Sequence, residues 1–491
     1  MARPVRVSII AISVVLVLFT MQIGVSAKKK SSKRKNRTAR SVTLFVMPTV
    51  QRSTPVIVKA PELLPASDLL VNMSPPALAK SVAQSAAGSG TRGAGDSDGK
   101  GKKQWAVVPL KPAAGSLIIS EFRVRGPSGA NDEFVEIYND SGADHTVTAS
   151  SGTGYAIAAS DGTTRCSIPN TTVIPARGHY LCTNSVAYSL SGYATGDATY
   201  TTDILDNAGI ALFNNNTGGA SFDLAHRFDA VGSTSEANAT YKEGTGYPAL
   251  TPFSIDYAFV RDECGKGGSI TVMGPCSIST PKDTDNNATD FYFVDTNGTS
   301  AGAGQRLGAP GPQNLSSPIQ RNSTITVNLL DATVSSANPP NRVRDFTGDA
   351  PNNSTFGTLS IRRRWVNNTG ANVTQLRFRI IDITTFPAPS GIADLRPRTS
   401  GAVVVAGIND SVTCAATGAP ATPPCTATVQ GTTLEQPPSQ PNGGGFNSSL
   451  AAGTVTLLTP LANGASINLQ FLLGIQQTGS FKIYVNVEAL P

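Results

Sequence analysis

The sequence predicts an all-β protein in which two antiparallel β-sandwich domains follow a disordered N-terminal region. Gly (47) and Pro (33) are frequent among the 491 residues, and charged residues are sparse at 15%. This composition favours short strands joined by many turns. Several segments alternate apolar and polar residues as strands do, and no long stretch has the 3.6-residue apolar period of a helical bundle.

The charge is distributed unevenly along the chain. Residues 1–115 contain 18 Lys and Arg against 4 Asp and Glu, whereas residues 116–491 contain 21 against 29. The net charge of +6 and the pI near 9.0 therefore describe the N-terminal region, not the folded domains. We infer no specific nucleic-acid partner from the pI.

Residues 1–27 have the features of a signal peptide. Arg3 and Arg6 precede the apolar run Val7–Thr20, and Val25-Ser26-Ala27 offers a small-residue cleavage site. An uncleaved membrane anchor is the alternative, because the apolar run is close to spanning length. Eight Lys and Arg follow directly, which opposes translocation. Export is still the prediction, because the cysteines and turn-rich β domains suit an exterior compartment.

Residues 28–114 are predicted to be a disordered stem without a core of its own. Its start is basic, Pro breaks up its apolar patches, and Ser81–Gln104 has the composition of a flexible linker. The basic run Lys28–Arg40 could attract DNA, anionic lipid or acidic wall polymer by charge. It has no interleaved aromatic residues for stacking on bases, so we interpret it as a solvated tail.

The first folded domain is predicted over residues 115–314 and opens with a hairpin at Leu117–Asn139. Alternation predicts one strand with Ile118, Ser120, Phe122 and Val124 on one face and Leu117, Ile119, Glu121, Arg123 and Arg125 on the other, one of these faces being mostly buried. A Gly/Pro/Asn/Asp-rich turn and a second strand follow. Further strand candidates recur at short intervals, as in a sandwich: Gly154–Ala159, two within Thr172–Asn184, Ile210–Phe213 and Phe222–Val231.

The order of these segments resembles the lamin-tail domain of exported bacterial proteins. The resemblance covers about residues 115–314 and rests on Phe134–Asn139 (FVEIYN), on Ile174, Gly178, Tyr180 and Leu181, on Asp206, Gly209 and Leu212, and on Asp229–Gly232 (DAVG). It implies an immunoglobulin-like β-sandwich that serves protein, membrane or nucleic-acid contacts. Residues 241–281 are longer than a minimal domain needs and are predicted to be an insertion.

The second domain, residues 322–491, is predicted to be another immunoglobulin-like sandwich. About seven strands are expected in it: Thr324–Leu330, Gly357–Val366, Val373–Ile383, Gly401–Ala406, Thr454–Leu458, Ser466–Leu473 and Gly479–Glu488. The region from Cys414 to Gly445 is predicted to be a long loop. Arg362-Arg363-Arg364-Trp365 lies within a strand, and we interpret it as an edge strand protected by charge, with an anion-binding or cation–π patch as the alternative.

The six cysteines fall into three local pairs. An even number of closely spaced cysteines predicts disulfides in an exported protein, and the spacings of zinc sites are absent. Reduced core cysteines are the alternative. The predicted pairs are Cys166 with Cys182, Cys264 with Cys276, and Cys414 with Cys425.

No catalytic, cofactor-binding or metal-binding residue is predicted. His145, His179 and His226 have neither the spacing of metal ligands nor a nucleophile motif nearby, so they are interpreted as structural or surface histidines. Residues 283–290 partly resemble a Ca²⁺ loop, but Ala288 replaces the sharp-turn Gly and Val294 the closing Glu. An Asx-rich turn is the preferred interpretation.

These observations predict an exported, non-catalytic binding or structural protein of the cell surface or extracellular space. Its sandwich loops would contact a protein or wall polymer, and a membrane only through an uncleaved N-terminal segment. One alternative is a metal-dependent secreted hydrolase or nuclease that uses Asp283 or Asp285. Another is a carbohydrate-binding module with Tyr platforms, since the chain has only two Trp, Trp105 and Trp365. The sequence leaves the oligomeric state open.

Overall fold

A computed structural model describes residues 69–71, 117–251, 253–264, 266 and 281–490. The predicted signal peptide, nearly all of the predicted stem, and Cys276 lie outside these residues. The described chain is all-β, as predicted, with two short α-helices, α1 (Asn287–Asp290) and α2 (Ser411–Thr417). Within the described residues, no helix has the length and apolar character needed to cross a membrane.

Thirteen strands lie in the described chain up to residue 295. They are β1 (Leu69–Val71), β2 (Leu117–Arg123), β3 (Phe134–Asn139), β4 (His145–Thr146), β5 (Gly154–Ala159), β6 (Thr164–Pro169), β7 (Val173–Ile174), β8 (His179–Asn184), β9 (Ala198–Tyr200), β10 (Ile210–Phe213), β11 (Arg227–Val231), β12 (Tyr257–Arg261) and β13 (Phe291–Asp295). Ten of these strands form two facing sheets. Sheet 1 has the order β11-β10-β5-β6, and sheet 2 has the order β13-β12-β2-β3-β8-β9. β4 and β7 form a separate pair.

The strands from residue 319 onward form three more sheets. They are β14 (Ile319–Gln320), β15 (Ile325–Leu329), β16 (Arg342–Asp345), β17 (Thr358–Asn367), β18 (Gln375–Ile383), β19 (Asp394–Arg398), β20 (Val403–Ile408), β21 (Gly418–Ala419), β22 (Cys425–Val429), β23 (Thr433–Leu434), β24 (Ser449–Ala451), β25 (Ser466–Gln477) and β26 (Ile483–Leu490). Sheet 3 is β1-β26-β18-β24-β23 with β14 on β26, sheet 4 is β15-β17-β25-β19 with β16 on β17, and sheet 5 is β20-β22-β21.

Two apolar cores hold these sheets together. Sheets 1 and 2 enclose the first core, which contains Phe122, Ile157, Leu212 and Phe259. Sheets 3 and 4 enclose the second core around Trp365, which is fully buried. The Phe378 ring centroid lies 4.7 Å from that of Trp365 and 4.9 Å from that of Phe471. Aromatic contacts of this kind add about 0.5–1.5 kcal/mol per pair beyond area burial.

Sheet 2 is covered on both faces. Phe134, Leu181, Val260 and Val294 belong to the same apolar cluster as the core of the second sandwich. The described residues all belong to one compact unit. Sheet 2 of the first sandwich therefore packs against the second sandwich, and its outer face is an interface instead of a solvated surface.

The strict alternation predicted for the first strand is wrong. The pairing of β2 with β3 shifts register between Ile119 and Glu121, which is a β-bulge at Ser120. Leu117 and Ile119 before the bulge therefore share one core with Phe122 and Val124 after it. The opposite face is buried as well, because the second sandwich covers it.

Three other predictions about the elements are corrected. The region from Cys414 to Gly445 is not one long loop, since it contains most of α2, then β21, β22 and β23. Residues 454–458 form turns, not a strand, and only Arg227–Val231 of the candidate at residues 222–231 is extended. The two segments wrongly predicted as strands contain Thr, Val or Phe residues, which raise strand propensity, whereas the abundant Pro and Gly between residues 414 and 445 favoured a loop where short strands are present.

The strand that carries Arg362, Arg363 and Arg364 is central, not an edge strand. β17 pairs with β25 on one side and with β15 and β16 on the other. The long arginine side chains satisfy their head groups locally: Arg364 Nε donates to Thr413 Oγ1 at 3.1 Å, and Arg363 Nη1 donates to the Asn341 carbonyl at 3.1 Å. Charge in a strand therefore does not require an exposed edge when the side chain can reach such partners.

Candidate functional site

The cysteines join elements that the strand pattern did not place together. The structure has a disulfide between Cys166 and Cys182 and another between Cys414 and Cys425. Cys166 lies on β6 of sheet 1 and Cys182 on β8 of sheet 2, so this bond crosses the first core instead of linking paired strands. Cys264 is described, but its predicted partner Cys276 is not. The two disulfides indicate an oxidising environment.

A group of buried ionisable side chains lies between the two sandwiches. Glu121 and Glu136 are direct neighbours on β2 and β3. Glu121 accepts hydrogen bonds from the Gly311 backbone N–H at 2.8 Å and from Asn447 Nδ2 at 3.0 Å. Glu136 accepts one from the Gln313 backbone N–H at 2.5 Å. The segment between the two sandwiches therefore contacts the carboxyl groups of Glu121 and Glu136, and the second sandwich contacts that of Glu121.

The second sandwich contributes the opposite charges. Arg379 Nε donates to Glu488 Oε1 at 2.8 Å, and Arg377 Nε donates to Glu488 Oε2. Tyr193, from the first sandwich, lies beside both guanidinium groups, with its hydroxyl 3.3 Å from Arg377 Nη1. All three charged groups are buried. The arrangement is an ion-pair network within the second sandwich, linked to the first sandwich through the Tyr193 hydroxyl, and it is strong only while each partner remains.

Burial changes the acidity of these groups in opposite directions. Burial, together with the smaller effect of the neighbouring Glu136 carboxylate, raises the pKa of Glu121 to about 8. Burial alone would also raise the pKa of Glu488, but Arg377 and Arg379 together lower it. Burial raises the pKa of Glu263, near the same interface, to about 7. The interface therefore holds one firmly ionised carboxylate beside others that favour the protonated form.

A cavity of about 80 Å³ lies at the centre of this network. Its lining includes Ser120, Glu121, Glu136, His179, Arg379 and Glu488. Sites for small organic ligands are usually about 300–1,000 Å³, so this cavity has room for a few waters and no more. A second cavity, of about 250 Å³ and lined mostly by Thr, Asn and Gln side chains with a few apolar residues, lies near residues 454–468.

One triplet in the cavity contains the residue types of a hydrolase triad in the wrong order. Ser120 Oγ donates to Glu136 Oε1 at 2.5 Å, and His179 Nδ1 lies 3.0 Å from the same oxygen. In a catalytic triad the imidazole stands between the hydroxyl and the carboxylate, so that it can take the hydroxyl proton. Here the carboxylate stands in the middle, so these three side chains do not have the order of a catalytic triad.

An acidic cluster lies in the first sandwich. Asp229, Glu243 and Asp283 each place a carboxylate oxygen within 4.8 Å of the others. Arg261 is buried among them: its Nη2 donates to Asp229 Oδ2 at 2.5 Å, and its Nη1 lies 3.6 Å from Asp283 Oδ1. Arg227 Nη2 donates to Glu243 Oε1 at 3.0 Å. Two guanidinium groups thus already balance the negative charge that would attract a cation.

The segment that partly resembles a Ca²⁺ loop is organised by its own backbone. Asp290 Oδ2 accepts hydrogen bonds from the N–H groups of Thr284 at 2.9 Å and Asn286 at 3.3 Å. Asn286 caps α1 by accepting from the Ala288 N–H. This is the Asx-rich turn that the sequence predicts. The carboxylate oxygens of Asp283 and Asp290 do not surround an open space that could hold a cation, because the Arg261 guanidinium group lies between them.

The two remaining histidines have separate partners. The His145 ring contacts the Tyr155 hydroxyl through Nε2 at 3.2 Å, and burial lowers its pKa. His226 Nδ1 lies 2.8 Å from Asp223 Oδ1 in an exposed turn. Each contact is local, and neither histidine lies in the interface cavity.

The Tyr and Trp side chains offer no exposed platform for a sugar ring in the described chain. All eleven Tyr are described, and each is buried or half-buried. Trp365 is fully buried, and Trp105 lies outside the described residues. The exposed large aromatics among the described residues are Phe346 and Phe356, at 80% and 49% exposure.

The sequence analysis missed Arg377, Arg379 and Glu488. Their strands alternate as half-buried strands do, so their polar faces looked solvated. In the structure these faces meet the outer face of sheet 2. A clue was present in β2 and β3, where Glu121 and Glu136 interrupt two strongly apolar segments.

No family model, no curated protein and no solved structure matches this chain.

Proposed function

We propose that this chain is an exported, non-catalytic binding or structural protein of the cell surface or extracellular space. The main observation behind this proposal is that the buried carboxyl groups are bound to other side chains of the protein. Glu488 lies between Arg377 and Arg379, and Glu136 lies between Ser120 and His179. The first set lies within the second sandwich and the second set within the first, at the faces where the two sandwiches meet, so these groups are held by protein partners and are not presented to a substrate.

Export is supported by independent features of the chain. Two disulfides suit an oxidising compartment, and residues 1–27 have the pattern of a signal peptide. The resemblance of about residues 115–314 to the lamin-tail domain of exported bacterial proteins points the same way. Fractionation of the host, with N-terminal sequencing and a thiol titration of the mature protein, tests this part. A cytosolic protein with six titratable thiols would contradict it.

The exposed apolar side chains of the second sandwich support contact through turns. Phe346 and Phe356 lie in the β16–β17 connection, and Leu457 and Leu458 lie in a turn between β24 and β25. Connections on a rigid sandwich are the usual place for recognition. Because the described Tyr and Trp side chains offer no sugar platform, a protein partner or a polymer bound through backbone and polar groups is favoured over a stacked sugar.

The test is binding of the mature chain to host envelope fractions. One arm uses protein-free wall polymer, and the other uses envelope proteins. Replacing Phe346 and Phe356 together by Ser should reduce the bound fraction severalfold, whereas Val412→Ser, at another exposed apolar residue, should not. Binding to neither fraction, or equal loss in both variants, would contradict the proposal.

A metal-dependent hydrolase or nuclease is the second candidate, because Asp229, Glu243 and Asp283 lie close together. Arg261 and Arg227 argue against it by balancing their charge. The discriminating assay measures nucleic-acid and polysaccharide cleavage with and without Mg²⁺, Mn²⁺ or Ca²⁺. Cleavage that requires the metal and is lost in Asp283→Asn would favour the enzyme and displace the binding proposal.

A further inference from the structure

Strand β20 is an edge strand of the small sheet 5. It pairs with β22 in the register Val403 with Val429, Val404 with Thr428 and Val405 with Ala427. The sheet order β20-β22-β21 leaves its other edge without a strand among the described residues. An edge of this kind presents unpaired backbone N–H and C=O groups, which can pair with a strand of another molecule.

The two faces of β20 differ in exposure. Val405 and Ile408 face a small core that also contains the Cys414–Cys425 disulfide. The alternate residues Val404 and Ala406 are exposed, and Val404 is exposed at 72%. An exposed apolar β-branched side chain makes no stabilising contact with water and is available for packing against a residue on a neighbouring strand.

Several other edge strands of the described chain carry a feature that discourages pairing. Arg165 lies on β6, Arg227 on β11 and Pro397 on β19. Charged residues and prolines on an edge strand are the common protection against intermolecular pairing. β15 lacks such a residue, but the side chain it exposes is the polar Asn328. β20 alone among these edges combines a neutral strand with exposed apolar side chains.

The sequence of this edge is a palindrome. Residues 401–407 read Gly-Ala-Val-Val-Val-Ala-Gly, centred on Val404. If two copies pair antiparallel about a two-fold axis through Val404, Ala402 lies opposite Ala406 of the other copy, and each of the three valines faces a valine. A two-fold interface uses the same patch on both copies, so such a patch must be complementary to itself. This edge meets that requirement at every position.

We propose that β20 pairs with β20 of a second copy of this chain. The pairing would form one continuous sheet, β21-β22-β20 followed by the same three strands of the second copy in reverse order. No charged residue lies between Gly401 and Ile408, so no like charges meet at the axis. The inference is independent of the proposed binding function and goes beyond it.

The geometry also limits the length of the contact. The register of β20 shifts between Val405 and Ile408, and Gly407 has φ +74°. This bulge ends the regular strand, so about five residues of each copy can pair. Stable interfaces usually use about 20–30 residues a side, so the dimer should be weak and dependent on concentration.

The first test measures the mass of the mature chain by analytical ultracentrifugation across a concentration series. The wild type should pass from monomer to dimer, and Val404→Lys should remain monomeric because two ammonium groups would meet at the axis. Leu458→Lys is the matched control, since Leu458 is exposed at 93% and lies outside sheet 5. A wild type that stays monomeric throughout, or a dimer that survives Val404→Lys, would overturn the proposal.

The second test maps the axis directly. In the proposed pairing the Cβ atoms of the two Val404 residues lie about 4.5–5.5 Å apart, so Val404→Cys should form a disulfide-linked dimer under mild oxidation. Thr428→Cys is the control, because the two copies of Thr428 would be separated by three strand spacings, about 14 Å. Mass spectrometry of the linked peptide identifies the residue. Equal crosslinking of the two variants would exclude an axis at Val404.

Discussion

Glu121 is a carboxyl group in surroundings that disfavour its charge. It is buried beside Glu136, and its pKa rises to about 8 from an ordinary value of 4.5. The folded state therefore holds the Glu121 proton more tightly than the unfolded state does. Its contribution to stability is complete below pH 4.5 and declines as the pH rises towards 8. Glu133 and Glu263, whose pKa values burial raises to about 7, act in the same direction.

We therefore expect the free energy of unfolding to fall between about pH 5 and about pH 8, and Glu121→Gln to reduce that fall by at least about 1 kcal/mol. Denaturant titrations of both proteins at the two pH values measure it. Because Glu133 and Glu263 also titrate, part of the dependence should remain in the variant. An unchanged dependence would show that Glu121 is ionised in the folded protein throughout this range.

Arg379 is one of the two guanidinium groups that bind the buried Glu488 carboxylate. It also donates through Nη1 to the Asn447 carbonyl at 3.2 Å. Removing Arg379 leaves the buried Glu488 carboxylate with Arg377 alone and one of its oxygens without its charged donor. We expect Arg379→Met to lower the free energy of unfolding by about 3–5 kcal/mol.

The matched control for Arg379 is an exposed arginine of the same sandwich. Arg398 lies 3.9 Å from Asp349, and both side chains are partly exposed. Arg398→Met should cost at most about 1 kcal/mol, the range for surface pairs. Equal losses in the two variants, measured by denaturant unfolding at neutral pH, would show that the interface charges are not coupled by burial.

At the scale of elements, the Cys414–Cys425 disulfide organises a unit that covers sheet 4. It joins α2 to β22, and Arg364 and Asn468 of sheet 4 donate to Thr413 Oγ1 and Thr417 Oγ1 of α2. The loop it closes is short, with a sequence separation of 11 residues. Sheet 5 has only three strands and a small core, so the covalent link supplies much of its stability.

Replacing both Cys414 and Cys425 by Ser should destabilise this unit by about 2–3 kcal/mol in the chain-entropy model. Hydrogen exchange should become faster in β20, β21, β22 and α2, while β2 and β3 keep their protection. Exchange that increases equally in all of these strands would show that sheet 5 unfolds only with the whole protein.

The whole molecule should unfold as one cooperative unit. The two sandwiches share an apolar cluster, and Asn447 of the second donates to Glu121 of the first. Calorimetry of the mature chain under non-reducing conditions should give a single transition. Two resolved transitions would contradict it and would indicate that each sandwich is stable without the other.

A substitution in the chain between the sandwiches tests their coupling. A Cβ on Gly308 would lie 2.2 Å from the Phe446 carbonyl oxygen, so Gly308→Ala should lower the midpoint of that transition. A Cβ on Gly453 meets no atom within 4 Å, which makes Gly453→Ala the control. Equal midpoints in the two variants would show that the approach of residue 308 to the second sandwich contributes nothing to stability.

The all-β class and the position of several strands follow from local sequence patterns. Gly154–Ala159 and Ile210–Phe213 were predicted to the residue, because a short apolar run bounded by turn residues is a local signal. The sequence also pointed to two of the cysteine pairs by their spacing, although not to the fact that one of them crosses the core.

Which polar faces are solvated depends on how the two sandwiches pack, and no local pattern shows it. Arg377, Arg379 and Glu488 alternate with core residues as surface residues do, yet they are buried because the first sandwich lies on them. A bulge at Ser120 likewise changed which residues of β2 share a face. Alternation reports that the two faces of a strand differ, but not what covers the polar one, since that depends on residues more than a hundred positions away.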